Sequence, residues 1–484
     1  MTATPLWSLT AAEQRTGLGQ GEFQATDVLA SVQQRIADCD TQIHSFCTVA
    51  TDAAQQQASS ADQRIATGTS ESALLGIPIS IKDLIDTAEI RTSYGSRVYA
   101  DRVPTTDDVV VERLKQAGAS ILGKTNTSEF GYLAACHNKL FPTTRNPWNL
   151  QRTPGGSSGG AAAAVAAGMG AIAIGSDGGG SVRLPAALTS VVGFKGSYGV
   201  VPSFPGCRNP QFPGASSWET LEVLGVLART VADVARVMSV IAGPDPRDRH
   251  AIPSLGFDWL AATKERLGPL RVAATPDFGG LVTVDPEVRR CFTEAVAAFA
   301  ELGCEVVTAS PQLPDLDEAF AALIARDSDL TGMRAMIQQA GADQLLPDMV
   351  GLIERDWSAA EFTDAAMTAQ SVTNTMSAFM AAYDLLLTPT VPALAFALDV
   401  AAPTTIDGSR VSPTHFLSFT RVCNITKQPA ISVPAGWSTS GLPVGLQIVG
   451  RPLADRVVLA AASAYEQVRP WRDQWPPGFE PTLN

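Results

Sequence analysis

Three serines in glycine-rich sequence could carry out acyl transfer. Ser157 and Ser158 lie within a GGSSGG segment, and Ser181 directly follows the three consecutive glycines 178–180. Consecutive glycines allow adjacent backbone N–H groups to converge on one point. A serine at the end of such a turn has donors beside it for the oxyanion of a tetrahedral intermediate. The pattern therefore predicts a serine nucleophile at position 181.

The flanking sequence argues against the alternative that these residues form a linker. Glycine- and serine-rich segments are often linkers or turns. Here the segment runs into AAAAVAAGMGAIAIG. This apolar sequence predicts a buried helix, Ala161 to Met169, followed by a strand, Ala171 to Gly175.

A serine nucleophile needs a base, and the sequence offers a lysine for that role. Of the four histidines, only His137 lies near these motifs in the chain. Lys82 follows a predicted apolar strand, Ile77 to Ile81. A serine–lysine pair is a known alternative to serine–histidine. The lysine pKa of about 10.4 must then be lowered by burial so that the amine can be neutral. A lone lysine at a strand end is more often a surface charge, but the motifs on both sides favour the catalytic interpretation.

Several ordered motifs carry a resemblance to a known family. They are GIPISIKD (76–83), GKTNTSEFGY (123–132), TRNPWN (144–149), GGSSGG (155–160), GSDGGGSVRLPA (175–186) and NITKQPAISVPAG with GLPVGLQIVGRP (424–452). Ser157 and Ser181 are 24 residues apart. Over roughly residues 25 to 470 the chain resembles the amidase signature family of serine hydrolases.

The resemblance implies a role for each residue of the site. Ser181 would be the nucleophile and Lys82 the base. Ser157, preceded by a cis peptide bond, would relay the proton between them. The oxyanion would be held by the backbone N–H groups of Gly178, Gly179, Gly180 and Ser181. The family uses no metal ion or cofactor for this chemistry.

Three neighbouring residues are expected to support the site. The resemblance implies that Asp177 and Arg183 stabilise the turn, and we expect them to pair because an isolated buried charge is costly. Ser158 is expected to cap the helix that follows it.

The alternation of predicted strands and helices indicates the α/β class. A single mixed sheet of about eleven strands, covered by helices on both faces, is implied by the resemblance. We expect one domain, residues 1–484. Its core would comprise about 70–310 and 384–470, with N-terminal helices at about 8–66 and a helical insertion at about 315–383. Thr26, and either Thr106 or Asp107, are expected as helix caps.

The composition excludes several classes of protein. A net charge of −13 disfavours nucleic-acid binding. Seven scattered cysteines, with no CxxC pair, make a disulfide framework or a zinc site improbable and favour a reducing cytoplasm. No secretory signal pattern opens the sequence and no apolar run is long enough for a membrane span.

The expected function is hydrolysis of a linear amide, with aryl amides, esters or carbamates (urethanes) open to the same chemistry. An alternative is the glutaminase subunit of an aminoacyl-tRNA amidotransferase, which would need partner subunits. A third is a non-catalytic binding protein on the same fold. A homodimer is an expectation at the level of the family.

The substrate pocket is less defined by the sequence. Its expected walls are residues 131–138, 204–217 and the 315–383 insertion. Gly178 and Gly196 depart from the usual family pattern, where Thr or a branched residue and Pro are common. Cys136 and His137 could suggest a Cys–His dyad, but adjacent side chains point apart, so packing is the favoured interpretation.

Overall fold

The computed structural model describes residues 4–68, 72–206, 212–214, 218–398 and 400–481. Its α-helices are α1 (Ala11–Gln20), α2 (Ala25–Ile43), α3 (Thr51–Ala66), α4 (Val109–Gln116), α5 (Gly159–Ala166), α6 (Arg183–Thr189), α7 (Val231–Ile241), α8 (Trp259–Ala262), α9 (Pro286–Glu301), α10 (Asp317–Asp327), α11 (Leu330–Ala340), α12 (Pro347–Glu354), α13 (Ala359–Met380), α14 (Arg421–Ile425) and α15 (Asp455–Val468).

The strands form one large sheet and one small hairpin. They are β1 (Phe46–Val49), β2 (Pro78–Lys82), β3 (Ser120–Thr125), β4 (Ile172–Asp177), β5 (Val192–Lys195), β6 (Val223–Ala228), β7 (Arg271–Ala274), β8 (Glu305–Thr308), β9 (Leu385–Pro389), β10 (Thr405–Ile406), β11 (Ser409–Arg410), β12 (Ala430–Trp437) and β13 (Pro443–Gly450). The eleven-stranded sheet has the order β1-β3-β2-β4-β6-β5-β12-β13-β9-β7-β8, and β10 pairs with β11. The mixed α/β architecture with an eleven-stranded sheet is thus confirmed.

Parallel pairing in the middle of this sheet brings two motifs together. β2 pairs in parallel with β4, with Ile81 opposite Ile174. Both strands are buried along their whole length. The carboxyl ends of parallel strands lie at the same sheet edge, where α/β proteins commonly place their sites. Lys82, which ends β2, therefore lies beside Ser176 and Asp177, which end β4.

Small side chains let α5 pack closely against the sheet. All eight of its residues are buried. A methyl group on Gly160 would lie 2.5 Å from the backbone nitrogen of Asn126, so a larger residue would push the helix away. The GGSSGG segment is therefore part of a packed core and is not a linker.

The predicted helical insertion is helical in the structure, where α10 to α13 lie between residues 317 and 380. α10 extends to the glycine turn that precedes Ser181, because a methyl group on Gly179 would lie 2.8 Å from Cζ of Phe320. The extra helices thus contribute a side chain next to the predicted active site.

Two expected helix caps are wrong. α2 begins at Ala25, so Thr26 lies inside the helix. The cap of α4 is Asp108, whose side chain accepts a hydrogen bond from the N–H of Val110. Neighbouring polar residues compete for such positions, and the one whose backbone is extended at the helix start takes it.

Within the described ranges, no helix is long and apolar enough to cross a membrane. The same residues contain no cluster of three or more His, Cys, Asp or Glu side chains suited to a metal ion. Cys39, Cys47, Cys136, Cys291, Cys304 and Cys423 are free thiols. Cys207 lies outside the described residues.

Candidate active site

Lys82 is fully buried at the end of β2 and contacts two serine hydroxyls. Its Nζ lies 2.7 Å from Oγ of Ser157 and 3.0 Å from Oγ of Ser176. Burial lowers the pKa of Lys82 from 10.5 to about 8, although the negative charges of Glu222 and Asp177 act in the opposite direction. A neutral amine, which can accept a proton, is therefore accessible close to neutral pH.

Ser157 is held against Lys82 by the glycine-rich segment. The Gly156–Ser157 peptide bond is cis, as the resemblance implied. Gly131 lies next to this serine, since a methyl group at position 131 would be 3.4 Å from the Ser157 Oγ. Ser157 is only 1% exposed. Lys82 and Ser157 are therefore already in contact inside the protein.

Ser181 is partly exposed, unlike the buried Ser157. Its carbonyl oxygen accepts a hydrogen bond of 3.2 Å from the N–H of Ser158, which ties the two serine segments together. Within the described residues the Ser181 hydroxyl forms no hydrogen bond with Ser157. The contact between Lys82 and Ser157 is thus present in the structure, and the proton transfer from Ser181 to Ser157 stays a prediction.

A buried ion pair fixes the turn that presents Ser181. Arg183 donates to Asp177 through Nε at 2.9 Å and a terminal nitrogen at 2.7 Å, and neither side chain is exposed. Burial alone would raise the pKa of Asp177, but the Arg183 guanidinium outweighs it and holds that pKa well below its usual range. The expected pairing is confirmed.

The carboxylate of Asp177 also accepts a hydrogen bond from one of the backbone N–H groups that were predicted to form the oxyanion hole. The N–H of Gly180 donates to Asp177 Oδ1 at 2.8 Å. Gly180 is therefore engaged within the turn, and this prediction requires correction for that residue. In the described part of the chain, the N–H groups of Gly178, Gly179 and Ser181 have no hydrogen-bond acceptor. These three remain candidates for the oxyanion hole.

Ser158 does not act as the expected helix cap. It occupies the cap position of α5, but its side chain makes no capping hydrogen bond. Its hydroxyl instead donates to the carbonyl oxygen of Ser176 at 3.3 Å. This serine therefore links the GGSSGG segment to β4. Its backbone, at φ −83° and ψ 36°, lacks the extended conformation typical of a capping residue.

Residues distant in sequence complete the support of the turn. Thr420 Oγ1 donates to the Gly179 carbonyl at 2.6 Å, and Asn424 Nδ2 donates to the Asp177 carbonyl at 2.7 Å. Arg183 reaches Gln447 Oε1 at 2.7 Å. Sequence reasoning did not assign these roles. Asn424 and Gln447 lie in the C-terminal motifs that resemble the family, which is the only signal that pointed to them.

Apolar side chains from three parts of the chain surround the glycine turn that precedes Ser181. Trp218 packs directly on Gly178, while Phe320 and Leu417 lie over Gly179. Trp218 also contacts Tyr132 edge to face, with ring centroids 5.4 Å apart. Of the predicted walls, 131–138 and the helical insertion reach the turn. Residues 207–211 and 215–217 of the third wall lie outside the described residues.

Cys136 and His137 do not form a catalytic dyad. The Cys136 thiol is buried against Gly159 and donates to Thr144 Oγ1 at 3.4 Å. Burial raises the pKa of Cys136 to about 11, which disfavours a reactive thiolate. The packing interpretation is supported by these contacts.

The chain is similar to several known proteins. The family model described as Amidase matches residues 27–459. An acylamidase of Rhodococcus erythropolis is 36% identical over 483 residues, with 98% of each chain covered. A glutamyl-tRNA(Gln) amidotransferase subunit of Desulforapulum autotrophicum is 36% identical over 495 residues, covering 96% of this chain and 97% of that one. The structure of a bacterial aryl acylamidase superposes with a TM-score of 0.88 at 28% identity, with 96% of each chain covered.

The fold and the site thus define an enzyme that acts on carbon–nitrogen bonds. The chain belongs to the amidase signature family.

Proposed function

We propose that this protein is an amidohydrolase that cleaves linear amides through an acyl-Ser181 intermediate. The observation that carries the proposal is the buried 2.7 Å contact between Lys82 Nζ and Ser157 Oγ. A lysine in this position has its charged form disfavoured by burial and a hydroxyl placed to pass it a proton.

The proposed reaction begins with neutral Lys82. The amine of Lys82 takes the hydroxyl proton of Ser157, while Ser157 takes the hydroxyl proton of Ser181. The Oγ atom of Ser181 then attacks the carbonyl carbon of the substrate. Backbone N–H groups of Gly178, Gly179 and Ser181 stabilise the oxyanion. The proton returns through Ser157 to the leaving nitrogen, and the C–N bond breaks. Water then attacks the acyl-enzyme, and its proton follows the same path while Ser181 is released.

The side chains around the turn support substrates with an apolar or aryl group. Trp218, Phe320 and Leu417 offer aromatic and aliphatic surface beside Gly178 and Gly179. Burying such a group next to the nucleophile is favourable, whereas a charged group there would need a partner. The names of the related acylamidases are consistent with this substrate class. Esters and carbamates of the same shape share the acyl chemistry.

The second candidate is a glutaminase subunit of an aminoacyl-tRNA amidotransferase. The 36% identity to an amidotransferase subunit favours it. Glutamine carries both an ammonium and a carboxylate, and the apolar side chains over the turn leave those charges poorly matched. The nearby Arg421 is already paired with Asp317 at 2.6 Å. We therefore place the stand-alone amidase first.

A turnover panel tests this assignment. Purified enzyme is assayed with p-nitroacetanilide, benzamide, p-nitrophenyl acetate, a phenyl carbamate and glutamine. We expect the anilide, ester or carbamate to be cleaved and glutamine to be poor. Ser181→Ala should lose all turnover, while the exposed surface variant Ser239→Ala should keep the parent rate. Rapid turnover of glutamine alone would favour the glutaminase instead.

A further inference from the structure

Lys82 has a second hydroxyl partner besides Ser157. Ser176 Oγ lies 3.0 Å from Lys82 Nζ, and the Ser176 carbonyl lies 3.3 Å from the same atom. The mechanism proposed above uses only the contact with Ser157. Ser176 is 2% exposed, so its hydroxyl is not simply a surface group.

Ser176 also lines a small cavity. The cavity has a volume of about 20 Å³ and is lined by Ser176, Asp86, Asp108, Ser203, Glu222 and Leu224, among others. A space of roughly 10–15 Å³ or more with several polar partners can hold one water molecule. The cavity is therefore large enough to continue a hydrogen-bonded chain from Ser176.

The three carboxyl groups at this cavity differ in their surroundings. Asp86 is paired with Arg102 at 2.7 Å and accepts from the Tyr94 hydroxyl at 2.6 Å. Asp108 caps α4, and burial raises its pKa to about 8. Glu222 differs from both because it also lines a larger groove of about 450 Å³.

The groove leads to the protein surface. Ser203 and Glu222 line both spaces, and the groove continues to the half-exposed His250 and the exposed Arg249. Its other charged groups are Glu219, Arg247 and Asp248. Lys82, Ser176, the cavity, Glu222 and the groove thus form one continuous series.

We propose that Ser176 and Glu222 form a second proton path that discharges Lys82 to the groove while substrate is bound at Ser181. The Lys82 ammonium passes a proton to Ser176 as the Ser176 hydroxyl passes its own to the cavity water. That water protonates the Glu222 carboxylate, which releases the proton to solvent in the groove. The lysine becomes neutral, and Glu222 ends as it began. Ser176 and Glu222 act through Lys82 and are positioning residues.

The path rests on the proposed role of Lys82 and would serve a clear purpose there. The pKa of Lys82 is lowered to about 8, so most of the enzyme carries a proton on Lys82 below that pH. A substrate bound against Ser181 closes the route through Ser157 and Ser181, so the proton needs another exit before acylation.

The test measures p-nitroacetanilide turnover against pH and against imidazole concentration at constant ionic strength. The variants are Glu222→Gln, Ser176→Ala and the matched groove variant Glu219→Gln. In Glu222→Gln and Ser176→Ala, turnover at pH 7 should rise with imidazole, which can enter the groove and accept the proton. Parent and Glu219→Gln should be independent of imidazole. Glu222→Gln should also move the acid limb to lower pH, by about one unit, because a negative charge near the lysine is lost.

The outcomes separate the path from the function on which it rests. Imidazole-independent turnover in both path variants overturns the path, even if the acid limb shifts, because Glu222 would then act on Lys82 only through its charge. Turnover that survives in Ser181→Ala, or a parent enzyme that cleaves no anilide, ester or carbamate, overturns the proposed function instead.

Discussion

Asp177 and Arg183 join through two hydrogen bonds of 2.7 and 2.9 Å at the turn that carries Ser181. The same carboxylate accepts the N–H of Gly180, and the same guanidinium donates to the carbonyl oxygen of Thr420 at 2.9 Å. One ion pair therefore fixes both the glycine turn and the C-terminal segment that packs on it.

Breaking this pair should be costly. Asp177→Ala leaves Arg183 charged and buried without its partner, and we expect a loss of about 3–5 kcal/mol in the free energy of unfolding. Urea denaturation measures it. The exposed pair Arg355–Glu318 gives the control, since Glu318→Ala should cost at most about 1 kcal/mol. Equal losses in both variants would show that burial does not strengthen the dependence on Asp177.

The pair also predicts how stability depends on pH. The pKa of Asp177 is lowered in the folded protein. Its contribution is therefore complete above the unfolded value of about 4 and is lost as the pH falls further. Unfolding curves from pH 7 to pH 3 should show a smaller acid loss in Asp177→Asn than in the parent. Parallel curves for the two proteins would contradict this assignment.

Activity should follow the protonation of Lys82. Since its pKa is lowered to about 8, the neutral amine is abundant above that pH and is lost as the pH falls. We expect kcat/KM to rise from pH 6 and level off above about pH 8. Lys82→Met should lower kcat/KM by two or more orders of magnitude, on the scale of general base catalysis of about 10²–10⁴-fold.

Lys124 provides the matched control for that lysine. It is also buried with its pKa lowered to about 8, but it donates to Thr87 and Thr92 and not to Ser157. Lys124→Met should change stability and leave the acid limb in place. An acid limb that disappears in Lys124→Met and persists in Lys82→Met would reverse the assignment.

The contact between Gly178 and Trp218 should control access to the site. A methyl group on Gly178 would collide with the indole ring, so Gly178→Ala should displace Trp218 and disturb the turn. We expect kcat/KM for the anilide to fall by more than about tenfold, as for loss of part of an oxyanion hole. Gly351→Ala is the control, because nothing lies within 4 Å of a methyl group there. A Gly178→Ala enzyme with parent kinetics would remove Trp218 from the site.

Some parts of the site could be predicted from the sequence because the residues that form them are close together in the chain. The strand that ends at Lys82, the small-residue helix and the ion pair of Asp177 with Arg183 each depend on residues a few positions apart. The strand boundaries also followed short apolar runs. Neither β5 nor β6 was predicted. A short buried strand such as VLGVLA in β6 has no alternation of apolar and polar residues to distinguish it from a helix.

The contacts made at long range could not be predicted in the same way. Thr420 holds Gly179 across 241 positions of the chain, and only folding brings them together. The engagement of the Gly180 N–H by Asp177 depends on how the turn closes, which three glycines leave open. The contact of Ser176 with Lys82 depends on the parallel pairing of β2 and β4.

The central claim is that Ser181 is the nucleophile activated through Ser157 and Lys82. Its most direct test is mass spectrometry of the protein after reaction with a fluorophosphonate. The account predicts one phosphonyl adduct, on Ser181, which forms slowly in Lys82→Met and not at all in Ser181→Ala. An adduct on another residue, or full labelling of Ser181→Ala, would contradict it.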